Sequence, residues 1–199
     1  MARVSGRPGL EWASQITNVV QAAGGRTSLW AGGPGSTIGT IAWSNLVDSF
    51  AAMVEATDRL NENAEYLALL AQGPQHVVSL EPDTMMQVVH GEITGQAEVG
   101  SFLGSVSATT NPDRAMEALA WAPLIADAWT AATGVPVVVA TNVAGPMDTV
   151  QWLVRFDDAA AIDEANGKIA ASSDYLEVYA TGAGLFAADS NQMYARRIA

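Results

Sequence analysis

The chain has 199 residues, of which 49% are apolar and 15% are charged, and it contains no cysteine. This composition predicts one or two folded domains with a buried core, and it excludes a disordered chain, a disulfide scaffold and any site that needs a cysteine ligand or nucleophile. The formal net charge of −12 would repel a phosphate backbone over most of the surface, so we expect no nucleic acid partner.

The first half of the chain predicts the element order β-α-β-β-α-β from its apolar periodicity and turn residues. Strands are expected at residues 3–5, 27–31, 37–43 and 84–90. Helices are expected at residues 10–23, 44–60 and 63–71. Gly24 and Gly25 end the first helix, and Ser44 or Asn45 caps the second, because a short polar side chain can accept a hydrogen bond from a helix N–H group.

The second half predicts the same order. Strands are expected at residues 99–108, 137–142, 149–156 and 191–197. Helices are expected at residues 111–133, 157–170 and 172–180. Pro112 opens the first of these helices, Gly134 ends it, and Asp157 caps the next one. Pro123 falls inside the first helix, which predicts a kink or a break there.

An internal repeat relates the two halves. A shift of 109 residues aligns residues 12–73 with 121–182 without a gap and gives 18 identities in 62 positions. The pairs include Trp12 with Trp121 and Trp43 with Trp152, and tryptophan is too rare for chance to explain both. We therefore expect an ancient duplication, with one repeat in residues 1–94 and a second, docked on it, in residues 95–199.

Two β-α-β-β-α-β repeats in one chain predict an α+β protein with two ferredoxin-like sheets. Ile41 and Trp43 lie on one face of a strand and Thr40 and Ala42 on the other, so each sheet needs cover on both faces. This organisation resembles the dimeric α+β barrel superfamily, whose members include antibiotic-biosynthesis monooxygenase-like, NIPSNAP-like, chlorite-dismutase-like and haem-degrading proteins. The resemblance implies two repeats packed as a barrel, with a site between sheet and helices or inside the barrel. Some members hold haem there and others a cofactor-free aromatic substrate.

No run of 18 apolar residues occurs, which predicts that no helix spans a membrane. Residues 1–6 lack the apolar stretch of a secretory signal. We therefore expect a cytoplasmic protein without a membrane partner.

The two histidines, His76 and His90, are candidates for a general base or a haem ligand. Alternation along the strand puts His90 on one face with Met86 and Val88. The alternative is a half-solvated histidine at a strand end. His76 lies after Gly73 and Pro74, in a loop where an ordinary surface role is the simpler interpretation.

Aromatic side chains are the candidate ligand-binding residues. Trp43 and Trp152 occupy matching strand positions, where their rings could line a cavity and stack on a flat ligand, or could pack in the core. Trp30 aligns with Val139 and so breaks the symmetry of the repeat, which makes it a candidate pocket residue, with core packing as the alternative.

Arg155 shares a strand face with Gln151 and Leu153, opposite Trp152. If that face is internal, Gln151 and Arg155 are buried polar groups that need partners, and a carboxylate or enolate is a suitable one for Arg155. If the strand end is exposed, Arg155 pairs with Asp157 or Asp158. The acidic helix faces are expected to be solvated, so no metal site is predicted.

Three hypotheses for the function remain. The first is non-catalytic: the protein binds a small apolar or aromatic molecule, or serves as an assembly module, a homodimer included. The second is a cofactor-independent monooxygenase or cyclase-like enzyme, in which aromatic rings stack the substrate, Arg155 holds an enolate oxygen and His90 moves a proton. The third is a haem-dependent protein with His90 or His76 as axial ligand. The first two need no cofactor.

Overall fold

The computed structural model describes residues 1–199. Its strands are β1 (Ala2–Val4), β2 (Thr27–Gly32), β3 (Thr40–Asn45), β4 (Val77–Leu80), β5 (Met85–His90), β6 (Phe102–Thr109), β7 (Val137–Ala144), β8 (Thr149–Phe156) and β9 (Asn191–Arg197). Its helices are α1 (Gly6–Ala22), α2 (Phe50–Asn61), α3 (Ala64–Leu70), α4 (Gly73–His76), α5 (Ala115–Thr133), α6 (Ala159–Ala171) and α7 (Ser173–Thr181), with a 3₁₀ turn at Pro112–Arg114. No helix combines the length and the apolar character that crossing a bilayer requires.

The chain forms two compact units. Unit 1 contains residues 1–81, 96–99 and 195–199, and unit 2 contains residues 82–95 and 100–194. The strand order is β4-β1-β3-β2 in unit 1 and β6-β8-β7-β5 in unit 2. Neighbouring strands within each unit run antiparallel, and the fold is α+β and ferredoxin-like, so the predicted fold class is confirmed.

β5 of the first sequence half lies in unit 2, and the end of β9 of the second sequence half lies in unit 1. β5 pairs with β7 in unit 2, with Val88 opposite Ala140. The end of β9 pairs with β2 in unit 1, with Arg197 opposite Trp30. The compact units therefore differ from the sequence halves by these strand segments.

The core of unit 1 lies between α1 and the sheet. Ala13 and Ile16 of α1 pack with Leu29 of β2 and Ile41 of β3, and Leu29 and Ile41 are fully buried. Trp12 and Trp43 meet edge to face at 6.0 Å between ring centroids within this cluster. The rings therefore fill the space that a ligand would need between this helix and its sheet.

The core of unit 2 is built in the same way. Ala122 and Ala126 of α5 pack against Val139 and Val150 of the sheet. Trp121 and Trp152 meet edge to face at 6.2 Å, and both lie against Phe186. Small alanines on α5 let the helix approach the sheet closely, and the aromatic rings close the remaining space.

The 109-residue shift also relates hydrogen bonds. Trp12 Nε1 donates to the Leu69 carbonyl at 2.8 Å, and Trp121 Nε1 donates to the Val178 carbonyl at 3.1 Å. The N-cap residues correspond as well. Ser49 of α2 aligns with Asp158 of α6, and Asn63 of α3 aligns with Ser172 of α7. The correspondence between the halves thus extends from residue identity to hydrogen bonding.

Several predicted boundaries were wrong. Ser44 and Asn45 do not cap α2, because both belong to β3, and Ser49 accepts the hydrogen bond from the Ala52 N–H instead. Asp158, not Asp157, caps α6. The short strand β4 and helix α4 were not predicted at all. The break predicted at Pro123 does not occur, since α5 runs through this residue as one helix.

Replacing Gly167 with alanine is expected to stabilise unit 2. Gly167 is an exposed residue inside α6, and an added Cβ would meet no atom within 4 Å. Glycine costs more backbone entropy than alanine in a helix, so Gly167→Ala should raise the free energy of unfolding by about 0.5–1 kcal/mol in urea titrations. Gly134→Ala is the control. Gly134 has φ +78° at the end of α5, so its substitution should lower the free energy of unfolding. A gain at Gly134 as large as that at Gly167 would contradict this account.

Candidate functional site

One face of the unit 2 sheet packs on helices and the other carries polar side chains. Gln151 of β8 pairs with Ser107 of β6 and with Ala140 of β7, so these three side chains share a face. Val139 and Val150 belong to the helix-side core, and strand alternation therefore directs Gln151 and Ser107 away from the helices. Alternation also puts Thr109, Thr149 and Asn142 on the same helix-free face.

These side chains form a depression of about 280 Å³, here called the polar depression. Its lining residues are Thr84, Ser107, Ala108, Thr109, Asn142, Pro146, Thr149, Gln151 and Asp189. Seven of these nine residues carry a hydroxyl, amide or carboxylate group, and the atoms that face the depression are polar and apolar in about equal share. The depression therefore offers a ligand several hydrogen-bonding groups beside apolar surface.

Asn142 carries an unsatisfied hydrogen-bond acceptor in this wall. The residue is 5% exposed, and its Nδ2 donates to the Pro146 carbonyl at 2.8 Å. Because a carbonyl can only accept, this bond fixes the amide orientation and leaves Oδ1 as the other atom. Oδ1 is buried and has no hydrogen-bond partner. A buried acceptor without a donor costs about 1–3 kcal/mol, so Asn142 would gain from an ordered water or a ligand group that reaches its Oδ1.

Asp189 gives the polar depression its charge. The Thr109 hydroxyl donates to Asp189 Oδ2 at 3.0 Å, which links β6 to the segment before β9. No lysine, arginine or histidine lines the depression. The local charge is therefore negative, as is that of the whole chain.

A second depression, of about 420 Å³, lies in unit 1 beside α1 and α3. Its lining residues are Gln15, Asn18, Val19, Ala22, Ala23, Asn63 and Glu65. The Asn63 side chain already caps α3 by accepting from the Tyr66 N–H. This depression contains no buried polar atom without a partner, so it has fewer unpaired hydrogen-bonding groups for a ligand than the polar depression has.

His90 does not line either depression. The prediction that His90 shares a strand face with Met86 and Val88 was wrong. The β5–β7 register shifts between Val88 and His90 and sets His90 opposite Val139. His90 Nε2 lies 2.7 Å from Asp127 Oδ1 of α5, and the His90 side chain is 32% exposed. The structure therefore makes His90 part of a half-exposed pair between strand and helix.

Arg155 is exposed and lies outside both depressions. Its Nη1 donates to the Thr94 carbonyl at 3.0 Å, in place of the expected pair with Asp157 or Asp158. Arg155 and His90 thus have separate partners, and the structure does not bring them together around a common cavity.

Trp43 and Trp152 pack in the cores described above. Trp43 Nε1 donates to the Thr17 hydroxyl at 3.0 Å, and Trp152 Nε1 donates to the Ala122 carbonyl at 3.0 Å. Each indole thus bonds to the first long helix of its unit. Core packing, which was the alternative to ligand stacking, accounts for both contacts.

Trp30 and His76 also have structural partners. Trp30 is 6% exposed, and its Nε1 donates to the Ser44 hydroxyl at 2.8 Å on the helix-free face of the unit 1 sheet. The His76 ring stacks on Trp12 at 5.6 Å between centroids, with 24° between the planes. Neither residue lines the two depressions.

The haem hypothesis stays a prediction, because neither histidine lines the two depressions and each still has a ring nitrogen that could bind iron. An axial ligand needs a free ring nitrogen that points into a flat apolar crevice. The Nε2 atom of His90 is engaged by Asp127, and one face of the His76 ring is covered by Trp12.

The residues that sequence reasoning missed are Asn142, Ser107, Thr109 and Asp189. Gln151 was recognised as a polar residue on a face that could be internal. The same alternation applies to Ser105 and Ser107 in the strand predicted at 99–108 and to Thr109 directly after it, and it could have marked a polar face there. Nothing in the sequence shows that Asn142 Oδ1 lacks a hydrogen-bond partner, because this follows from the bond of its Nδ2 to the Pro146 carbonyl in the turn.

No known family model matches the chain, and no curated protein matches it. A candidate monooxygenase from Fusobacterium nucleatum is similar to it in structure over 100% of this chain and 89% of that one, with 11% identity and a TM-score of 0.70. An anthrone oxidase-like protein covers 100% of this chain and 88% of its own, with 13% identity and a TM-score of 0.64. A major regulator of staphylococcal pathogenesis is similar over 95% of this chain and 94% of its own, with 11% identity and a TM-score of 0.59.

At these identities the likeness shows a shared fold alone. The fold agrees with the resemblance inferred from the element order. It occurs both in a candidate monooxygenase and in a regulator, so it does not choose between an enzyme and a non-catalytic protein.

Proposed function

We propose that this protein binds a small polar molecule in the polar depression of unit 2. The observation that carries the proposal is the set of hydroxyl, amide and carboxylate side chains that line the depression, among which the buried Asn142 has an Oδ1 without a donor from the protein. Such a group is costly unless a ligand or an ordered water supplies the donor. The proposed ligand is polar, in contrast to the apolar or aromatic one that the tryptophans suggested, because those rings pack in the cores.

Convergence of several elements on one small region further supports the site. Strands β6, β7 and β8 supply Ser107, Asn142 and Gln151, and the hydrogen bond from Thr109 to Asp189 joins the segment before β9 to this wall. Side chains on paired strands are held more firmly than side chains on loops, which lowers the entropic cost of binding.

A fragment screen followed by two-dimensional NMR tests the proposal. Small polar fragments should shift the backbone signals of Ser107, Thr109 and Gln151, and Gln151→Leu should weaken that binding about tenfold by removing one hydrogen-bonding group. Gln15→Leu is the matched control, because Gln15 is the same residue type in the unit 1 depression. Shifts confined to the residues around Gln15, or no localised shifts from any polar fragment, would overturn the proposal.

A second candidate is a cofactor-independent oxygenase that acts on an anthrone-like aromatic molecule. The fold likeness to a candidate monooxygenase and to an anthrone oxidase-like protein favours it. The half-exposed His90 with its Asp127 partner is the group best suited to remove a proton from such a substrate. One anthrone and one O₂ would then give one anthraquinone and one water.

Oxygen uptake with anthrone tests this second candidate. The enzyme hypothesis predicts uptake above the buffer rate, and His90→Gln should lower it at least about a hundredfold if His90 is the base. Arg155→Gln should also lower the oxygen uptake if Arg155 holds the enolate oxygen, and should leave it unchanged if Arg155 has no such role. Uptake equal to buffer, or unchanged in His90→Gln, would remove this candidate and leave the binding proposal intact.

A further inference from the structure

The polar depression combines hydrogen-bond acceptors with a negative charge. Asp189 is the one charged residue among its lining side chains. Asn142 Oδ1 is an acceptor without a donor, and the hydroxyl and amide oxygens of Ser107, Thr149 and Gln151 can also accept. The hydroxyl and amide groups can also donate, whereas the Asp189 carboxylate and Asn142 Oδ1 can only accept, so these two groups favour a ligand with donors and a positive charge.

We propose that the polar depression recognises the protonated amine of a small organic cation. This inference rests on the proposed binding function and adds the chemical class of the ligand. An ammonium group has three donors and no acceptor, which suits a wall rich in acceptors. Asp189 supplies the counter-charge, and its carboxylate stays bonded to the Thr109 hydroxyl.

The charge of the chain favours the same ligand class. The formal net charge of −12 attracts small cations to the surface and repels anions. No basic side chain lines the depression to bind a carboxylate or a phosphate. A hydrogen bond to a charged group is stronger than one between neutral groups, so a cation should bind better here than a neutral molecule of the same shape.

Size limits the ligand to a few heavy atoms around the amine. A depression of about 280 Å³ falls just below the range of cavities that enclose drug-sized ligands. The part of the ligand that carries the amine would occupy it, and any larger part would extend over the exposed residues of the 145–148 turn.

The test compares three probes of equal size: propylammonium, 1-propanol and propionate. In NMR titrations of the full chain, we expect propylammonium to shift the signals of Thr109, Asn142 and Gln151, and the other two probes to bind at least about tenfold more weakly. Asp189→Asn should weaken propylammonium binding about tenfold, since asparagine keeps an acceptor for Thr109 but loses the charge.

Asp163→Asn controls for general attraction by the acidic chain. Asp163 is an exposed residue of α6 outside the depression, and its substitution changes the net charge by the same amount. An equal loss of affinity in the two variants would overturn the inference. Equal binding of all three probes in the depression would also overturn it, while the proposed binding function would survive. Absence of shifts from every probe in the depression, together with a negative fragment screen, would defeat both.

Discussion

Gly182→Ala is expected to lower the free energy of unfolding by about 1–3 kcal/mol or more. An added Cβ at Gly182 would lie 2.5 Å from Cζ2 and 2.7 Å from Cε2 of Trp121. The Trp121 ring cannot move freely, because it packs on Trp152 and Phe186 and its Nε1 donates to the Val178 carbonyl. The substitution therefore forces either the indole or the end of α7 out of position.

Gly73→Ala is the matched control from the other half of the chain. Gly73 aligns with Gly182 at the 109-residue shift, but its added Cβ would lie 3.5 Å from Cζ2 of Trp12, which is ordinary contact. Urea titrations followed by circular dichroism should show a loss several times larger for Gly182→Ala than for Gly73→Ala. Equal losses would contradict the close approach that the structure gives for Trp121.

Trp152→Ala is expected to destabilise the protein by about 3 kcal/mol, since a half-buried indole is lost from the unit 2 core. The ring contacts Trp121 and Phe186, and its Nε1 bonds to the Ala122 carbonyl of α5. Loss of the ring would therefore weaken the contact between β8 and α5. Binding in the polar depression should persist in any variant that stays folded, because Trp152 faces the helices.

Two milder substitutions separate the hydrogen bond from the packing. Trp152→Phe removes the bond to the Ala122 carbonyl, whereas Trp129→Phe removes an indole N–H that is buried without a partner. We expect Trp152→Phe to cost about 1 kcal/mol more than Trp129→Phe in urea titrations. A larger loss at Trp129 would mean that its N–H has a partner that the structure does not contain.

The sequence pattern predicted an element correctly where alternation and flanking turn residues are enough to define it. The strand at 149–156 and the strand at 191–197 have the predicted bounds, because alternation and flanking turn residues delimit them. The start of α2 was missed because Ser44, Asn45 and Ser49 are equally good caps in isolation. Pairing of Ser44 with Ser28 and of Asn45 with Thr27 extends β3 and leaves Ser49 as the cap. That choice depends on a neighbouring strand, which local sequence does not reveal.

The candidate site was harder to predict for the same reason. Alternation identified the face that carries Gln151, but the register shift before His90 moved that histidine to the opposite face. The aromatic residues drew attention as ligand platforms, although their spacing suits core packing equally well. Asn142 becomes a candidate only when the turn at Pro146 takes up its amide nitrogen and leaves its oxygen unpaired.

A crystal structure grown with propylammonium, at a resolution that shows bound solvent, tests the site most directly. The account predicts electron density for propylammonium in the polar depression, with its ammonium group within hydrogen-bond distance of an acceptor of the lining. Ligand density beside Asp189 would support amine recognition, whereas ordered water alone, with a hydrogen bond to Asn142 Oδ1, would show that no ligand is needed there and would contradict the account. An Asn142 side chain whose two polar atoms are both satisfied by protein groups, above an empty depression, would contradict the account.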